Sequence, residues 1–258
     1  MIERNDIYRW YLASLSQNQL SIKATLVYPC TETHIRKHSK QNRRMVQETP
    51  EIYKEHVEKY IQTMKGSRIQ WLYNVLEHKA ESENIIYEDP DPEMGFMLLP
   101  DLYSLRRAEV DGRKWDRVNL SSLYLSAILR RRDLSSIRDL NESHIPLLKK
   151  LRTAVIDATV QRWPEISPDQ LRLYFHCTLS SRAMLMPDHP SYYHMHIHVV
   201  HTDFQGGEGM AVGKAWLLDD VIEQLSFLGQ EGFKKKTITV IVGEESDLWK
   251  QIYSKISL

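Results

Sequence analysis

The run His194-Met195-His196-Ile197-His198-Val199-Val200 carries an imidazole at every second position and an apolar side chain between each pair. Successive side chains of a β-strand point to opposite faces. The alternation therefore predicts a strand over Tyr192–Val200, with His194, His196 and His198 on one face and Met195, Ile197 and Val199 against a core. A face of three imidazoles backed by an apolar one is costly unless each polar group finds a partner. Three uses are open. The imidazoles bind a metal, since alternating histidines on a strand supply two or three ligands; or they are a polar strand face and nothing more; or one is a nucleophile toward phosphorus and the others serve the phosphates. The third use suits imidazole, which is largely neutral near pH 7 because its unperturbed pKa is about 6.5. Attack on a phosphate splits one hard step into two easier ones, and neighbouring imidazoles and hydroxyls stabilise the developing charge. No metal or other cofactor is required.

The rest of the chain supplies a scaffold for such a strand. Pro50–Met64 is expected to be a helix capped by Thr49, with Ile52, Tyr53, Val57, Tyr60, Ile61 and Met64 as its apolar stripe. Ile69–Leu76, Ile85–Tyr87 and Phe96–Leu99 are expected strands of an antiparallel meander, with turns at Asp89-Pro90-Asp91-Pro92 and Gly95. Helices are expected over Leu120–Arg131, over Glu142–Trp163 behind Asn141, over Lys214–Leu228 and over Ser246–Ile256. Leu171–His176 and Thr237–Val242 are further strands, and Tyr103–Asp116 and Ser180–His189 are loops. Strands and helices mix without regular alternation, so the expected class is α+β.

Composition narrows the partners. Among 258 residues, 34 Lys and Arg balance 34 Asp and Glu. Affinity for long nucleic acid rests on many phosphate contacts, so a neutral chain argues against a general RNA or DNA binder and leaves room for a local basic pocket. Cys30 and Cys177 make no disulfide framework or zinc-binding spacing, as expected of a reducing compartment. No apolar stretch has the length of a bilayer span, and the first residues have no signal-peptide core.

The lead-in Pro190-Ser191-Tyr192-Tyr193 followed by the alternating histidines resembles the scavenger mRNA-decapping enzymes of the histidine-triad superfamily. The likeness extends to Asn5-Asp6-Ile7-Tyr8, Val27-Tyr28-Pro29, Ile69-Gln70-Trp71-Leu72-Tyr73-Asn74, Lys79-Ala80-Glu81, Glu88-Asp89-Pro90-Asp91-Pro92, Gly95-Phe96, Pro100-Asp101-Leu102, Leu123-Tyr124-Leu125 and Arg138-Asp139-Leu140, and so to nearly the whole chain. It implies a histidine-triad antiparallel sheet with packed helices. It implies a homodimeric hydrolase, cytoplasmic and also nuclear, whose substrate is a 7-methylguanosine-capped dinucleotide or short capped RNA. In that reading His196 is the nucleophile, with His194 and His198 assisting. Trp71, Glu81, Pro100, Asp101, Leu102 and Lys114 hold the cap base, and His176, Ser191, Tyr192, Tyr124 and Lys214 hold the phosphates.

Methylated guanine is cationic, and an indole face attracts a cation; its edge offers N–H donors, for which carboxylates are acceptors. Residues 1–48 are expected to be a shortened N-terminal dimerisation and lid region with its linker, and 49–258 the catalytic domain. Against the family pattern, Tyr103–Arg113 is an insertion that displaces a lysine to Lys114. Lys214 replaces an arginine, losing its bidentate geometry, and Cys177–His189 is a longer loop. Two alternatives remain: a triad hydrolase of another dinucleoside polyphosphate, and a cap-binding module without catalysis.

Overall fold

The computed structural model describes residues 3–5, 8–13, 22–32, 35, 42–101, 120–176, 192–204 and 208–256. The loops expected at Tyr103–Arg113 and Cys177–His189, and with them Leu102, Lys114 and Ser191, lie outside the described residues. In chain order, β1 (Glu3–Asn5), β2 (Tyr8–Ala13) and β3 (Ile22–Val27) form a three-stranded antiparallel sheet. Strand β4 (Arg43–Glu48) leads into helix α1, which runs over Pro50–Ile52, widens to a π-turn over Tyr53–Val57 and resumes over Glu58–Thr63. As expected, Thr49 caps it, its hydroxyl accepting from the Ile52 N–H at 3.3 Å.

Helix α2 (Gln70–Leu76) precedes β5 (Tyr87–Glu88), β6 (Phe96–Pro100) and β7 (Tyr124–Leu129). Asn141 closes a capping box in the turn before α3 (Ile145–Arg162). Then follow β8 (Leu171–His176), β9 (His196–His201), β10 (Ala215–Leu217), α4 (Leu218–Leu228), β11 (Ile238–Gly243) and α5 (Asp247–Gln251).

Six strands form one sheet in the order β10-β8-β9-β7-β6-β5, antiparallel at every pairing, so the α+β expectation holds. Strand β9 lies near the centre, and its register sets the two faces. His198 is level with Ser126 and Tyr174, and His196 with Ile128. The other pleat carries Ile197, Val199, Leu173, Phe175, Leu125, Ala127, Leu129, Phe96 and Leu98 into the main core, where Leu147, Leu148, Leu151, Val155 and Ile156 of α3 meet them. On the histidine side, α2 covers only part of the sheet, packing Leu72, Val75 and Leu76 on Met97, Leu99 and Ile128. Burying each such side chain stabilises the fold by roughly 1.5–3 kcal/mol. Beyond α2 stand the polar residues of that face, where Phe204 packs on Tyr124 and Tyr174.

The second sheet, β4 with β11, is tied to the main core by a buried ion pair. Arg138 and Glu48 are 2% exposed each and meet at 2.7 Å. The Arg138 guanidinium also donates to the carbonyls of Glu48 and Phe233, each at 2.8 Å, and to that of Lys236, while the Tyr253 hydroxyl donates to the Glu48 carboxylate. With its hydrogens matched to oxygens in this way, a buried charge pair is tolerable.

Four expected elements differ. Ile69–Leu76 is helical: its buried Ile69, Leu72, Val75 and Leu76 recur at helical spacing, and β-forming composition misled. Leu120–Arg131 is a short 3-10 turn followed by β7, whose six residues are all buried because both faces of this central strand are covered. A strand covered on both faces reads as an unbroken apolar run, which periodicity does not separate from a buried helix. Lys214–Leu228 begins with the edge strand β10 rather than a helix, and β9 starts at His196, leaving Tyr192 to Met195 before the strand.

Candidate active site

Strand pairing converts residues far apart in the chain into one cluster. His196 and His198 lie two residues apart on β9 with ring centroids at 4.9 Å, and His176, the last residue of β8, stands 4.5 Å from His198 and 6.4 Å from His196. Tyr192 folds back from the segment before β9 and stacks on His196 at 4.6 Å and 29°. Tyr124 of β7 meets His198 at 5.3 Å. A cleft reaches His176, Tyr192, His194 and His196.

Hydrogen bonds to backbone carbonyls assign the imidazole roles. A carbonyl oxygen only accepts, so the ring nitrogen facing it carries the hydrogen. His196 donates from Nδ1 to its neighbour's carbonyl, that of His194, at 2.7 Å, which leaves the Nε2 lone pair of the neutral ring as a nucleophile. His176 donates from Nδ1 to the Gly209 carbonyl at 3.1 Å, and His194 from Nε2 to the Leu129 carbonyl at 2.7 Å. Neither nitrogen of buried His198 has a hydrogen-bond partner among the described residues. An unmatched buried polar atom costs about 1–3 kcal/mol, so this ring is poised for a polar ligand.

Burial is the main cause that lowers the pKa of every imidazole here. His176 is pushed down to about 4 with help from His196, His194 also to about 4, and His196 and His198 lie below the ordinary 6.5. All four are neutral at physiological pH.

A second group adjoins the first. Trp71 on α2 meets Tyr192 edge to face at 5.1 Å, so only one ring separates it from His196. Asp101, just past β6, accepts from the Ser126 hydroxyl at 3.1 Å, and Ser126 is the ladder neighbour of His198. Glu81 lies close enough to Asp101 for the two charges to interact: burial raises its pKa, and Glu83 and Asp101 add to the rise. Its backbone is left-handed (φ 55°), an unusual conformation for a residue with a side chain and one that collects at functional sites. An indole and two carboxylates thus border the histidines.

The expected site residues fall into three groups. His196, His198, His176, Tyr192, Tyr124, Trp71, Glu81 and Asp101 are brought together, and buried Lys214 lies against His176, whose pKa its charge lowers. His194 and Pro100 are placed differently. His194 precedes the strand, so it does not extend the imidazole face; it packs edge to face on Tyr73 at 5.9 Å and serves His196 through its carbonyl. Pro100 shares the core-facing pleat of Leu125. Leu102, Lys114 and Ser191 lie outside the described residues.

Sequence reasoning passed over Tyr174, Ser126 and Gly209. The alternation Arg172-Leu173-Tyr174-Phe175-His176 already put Tyr174 on the face of His176. Nothing local pointed to Ser126, whose neighbours come from strand pairing, or to Gly209, which leaves room for the His176 ring.

A central antiparallel strand that carries alternating imidazoles on one face and packs its other face against helices defines a histidine-triad protein. The pattern described as "Scavenger mRNA decapping enzyme C-term binding" matches residues 70–213, and that described as "Scavenger mRNA decapping enzyme (DcpS) N-terminal" matches residues 1–41. Similar proteins include an m7GpppX diphosphatase of Schizosaccharomyces pombe, 40% identical over 98% of this chain and 76% of its own length. One of Ascaris suum is 36% identical over 97% of this chain and 74% of its own. One of Homo sapiens is 35% identical over 95% of this chain and 65% of its own. The chain belongs to the scavenger mRNA-decapping enzyme family.

Proposed function

We propose that this chain hydrolyses 7-methylguanosine-capped dinucleotides, or short capped RNA fragments left by 3′-to-5′ decay, and releases 7-methylguanosine monophosphate. The observation that carries the reading is the His196 bond to the His194 carbonyl, which turns a neutral Nε2 lone pair into a site one ring away from Trp71. The names of the relatives, m7GpppX diphosphatase, agree with it.

The cationic base stacks on Trp71, a contact worth roughly 0.5–2 kcal/mol depending on desolvation. Its N–H edge donates to Glu81 and Asp101. These two carboxylates repel each other, and burial already disfavours the charge on Glu81; a cation beside them relieves both costs. An unmethylated guanine does not bring that charge.

His196 Nε2 then attacks the phosphorus that bears methylguanosine. A P–N bond forms, and the bond from that phosphorus to the oxygen of the neighbouring phosphate breaks. The electron pair leaves with a nucleoside diphosphate, or with an RNA carrying a 5′ diphosphate. As Nε2 becomes bonded, the ring turns cationic, and the Nδ1–H bond to the His194 carbonyl stabilises it. His176, His198, Tyr124, Tyr192 and Lys214 face the phosphate oxygens. Water next attacks the same phosphorus and gives up one proton to solvent, the P–N bond breaks and returns its electron pair to Nε2, and the monophosphate is released. A homodimer, in the cytoplasm and the nucleus, completes the reading; light scattering tests the dimer.

The decisive experiment incubates the protein with methylated and unmethylated cap dinucleotides in the presence of a chelator. Methyl-dependent release of the monophosphate is expected. Equal cleavage of both substrates favours a hydrolase of other dinucleoside polyphosphates, binding without turnover favours a cap-binding module, and activity lost to the chelator favours the metal.

A further inference from the structure

Tyr174 is 2% exposed and is the ladder partner of His198. Its ring stacks on the His198 imidazole at 5.1 Å and 25° and meets His176 edge to face at 5.6 Å. Its hydroxyl donates to that of Tyr124 at 3.2 Å. The torsion that turns an imidazole about its attachment is broad. Hydrogen bonds normally choose the ring plane, but His198 makes none among the described residues. Its plane is therefore set by the rings around it, and the near-parallel one is Tyr174. The hydroxyl contact acts on the other phosphate-facing group: a hydroxyl that accepts a bond turns its own hydrogen away from the donor. Burial raises the pKa of both phenols, so both keep their hydrogens at working pH.

We propose that Tyr174 is a positioning residue for phosphate transfer, its ring face setting the plane of His198 and its hydroxyl setting that of Tyr124, so that both present hydrogens to the phosphate oxygens in the transition state. The inference rests on the function proposed above. Donors fixed in advance gain most where charge develops. Tyr174 acts one bond away from the reacting atoms, so its effect is smaller than that of a direct donor and falls on kcat rather than KM.

The test compares Tyr174→Phe, Tyr124→Phe, the double variant and Tyr174→Leu on a methylated cap dinucleotide, with a melting curve for each. Tyr174→Phe keeps the stack and loses the hydroxyl; kcat falls roughly three- to tenfold, the worth of one neutral hydrogen bond, with KM within about twofold. The double variant is no slower than Tyr124→Phe alone, because both changes remove one interaction. Tyr174→Leu also loses the stack and falls further than Tyr174→Phe.

Wild-type kcat in Tyr174→Phe, or additive losses in the double variant, overturns the proposal, as does a lower melting temperature with unchanged kcat. If Tyr174→Leu does not fold, the Phe variants and the double variant decide. A wild-type protein that releases no monophosphate overturns the proposed function and Tyr174's role with it, whereas an active wild type with an unaffected Tyr174→Phe overturns only the latter.

Discussion

Gly209→Ala perturbs the site by one methyl group without removing any functional side chain. The Gly209 carbonyl accepts from His176 at 3.1 Å, and a Cβ added at Gly209 would lie 2.6 Å from the His176 Cε1. Resting carbon atoms sit about 3.5–4.0 Å apart, so the imidazole must retreat by about 0.9 Å or more. Gly209 does not have a left-handed backbone, so the methyl acts through space and not through φ. A retreat of that size stretches the 3.1 Å bond beyond hydrogen-bonding range. It also moves an imidazole off the phosphates, and displacements near 1 Å cost up to about a hundredfold in rate. The expected outcome is a kcat/KM on methylated cap dinucleotide lower by about 10- to 100-fold, or about 1.4–2.7 kcal/mol. The melting temperature should change by less than about 4 °C, as for a perturbation of about 1 kcal/mol or less. A kcat/KM within about threefold of wild type in a folded variant would refute the reasoning, because His176 would then not need its present place.

His196→Ala should bind capped dinucleotide and not cleave it; retained turnover removes the nucleophile assignment. The acid limb of kcat/KM, which reports the free enzyme, should have its midpoint below about 6.5, the unperturbed imidazole value. Burial lowers the pKa of His196, and attack needs its neutral form, so activity persists above the folded pKa and is lost as pH falls through it; a midpoint at or above 6.5 contradicts this. The same sign holds for stability: His176 and His194, held at about 4, contribute stability in full above the unfolded value, and urea midpoints should fall as pH drops toward 4. Arg138→Met should cost about 3–5 kcal/mol by stranding the buried Glu48 carboxylate, and adding Glu48→Gln should recover part of it. A single-variant loss under about 1 kcal/mol in urea denaturation would mean that the pair is already solvated.

Much of the framework was legible because local rules wrote it. Thr49 and Asn141 announced the starts of α1 and of the turn before α3. Two of the misses came from tertiary surroundings. Burial on both faces erased the alternation of β7, and three residues of β10 became a strand only because β8 offers an edge to pair with. Among site residues, Tyr174 could have been read from its alternation with His176, whereas Ser126 gained its place beside His198 and Asp101 only by strand pairing.

The alternation of His196 and His198 with Ile197 and Val199 follows from the chain alone, because period two is a property of neighbouring residues. So does the likeness of the motifs around Trp71 and Tyr192 to the scavenger decapping family. Tertiary structure decided the chemistry of His176, His194 and His198, whereas His196 takes its bond from the His194 carbonyl two residues away. Whether a ring nitrogen donates or attacks depends on which carbonyl stands within hydrogen-bond reach. For His194 that carbonyl belongs to Leu129 on a neighbouring strand, for His176 to Gly209, and for His198 none is present among the described residues. Folding brings those partners from distant parts of the chain, and it alone carries Trp71 to within one ring of His196.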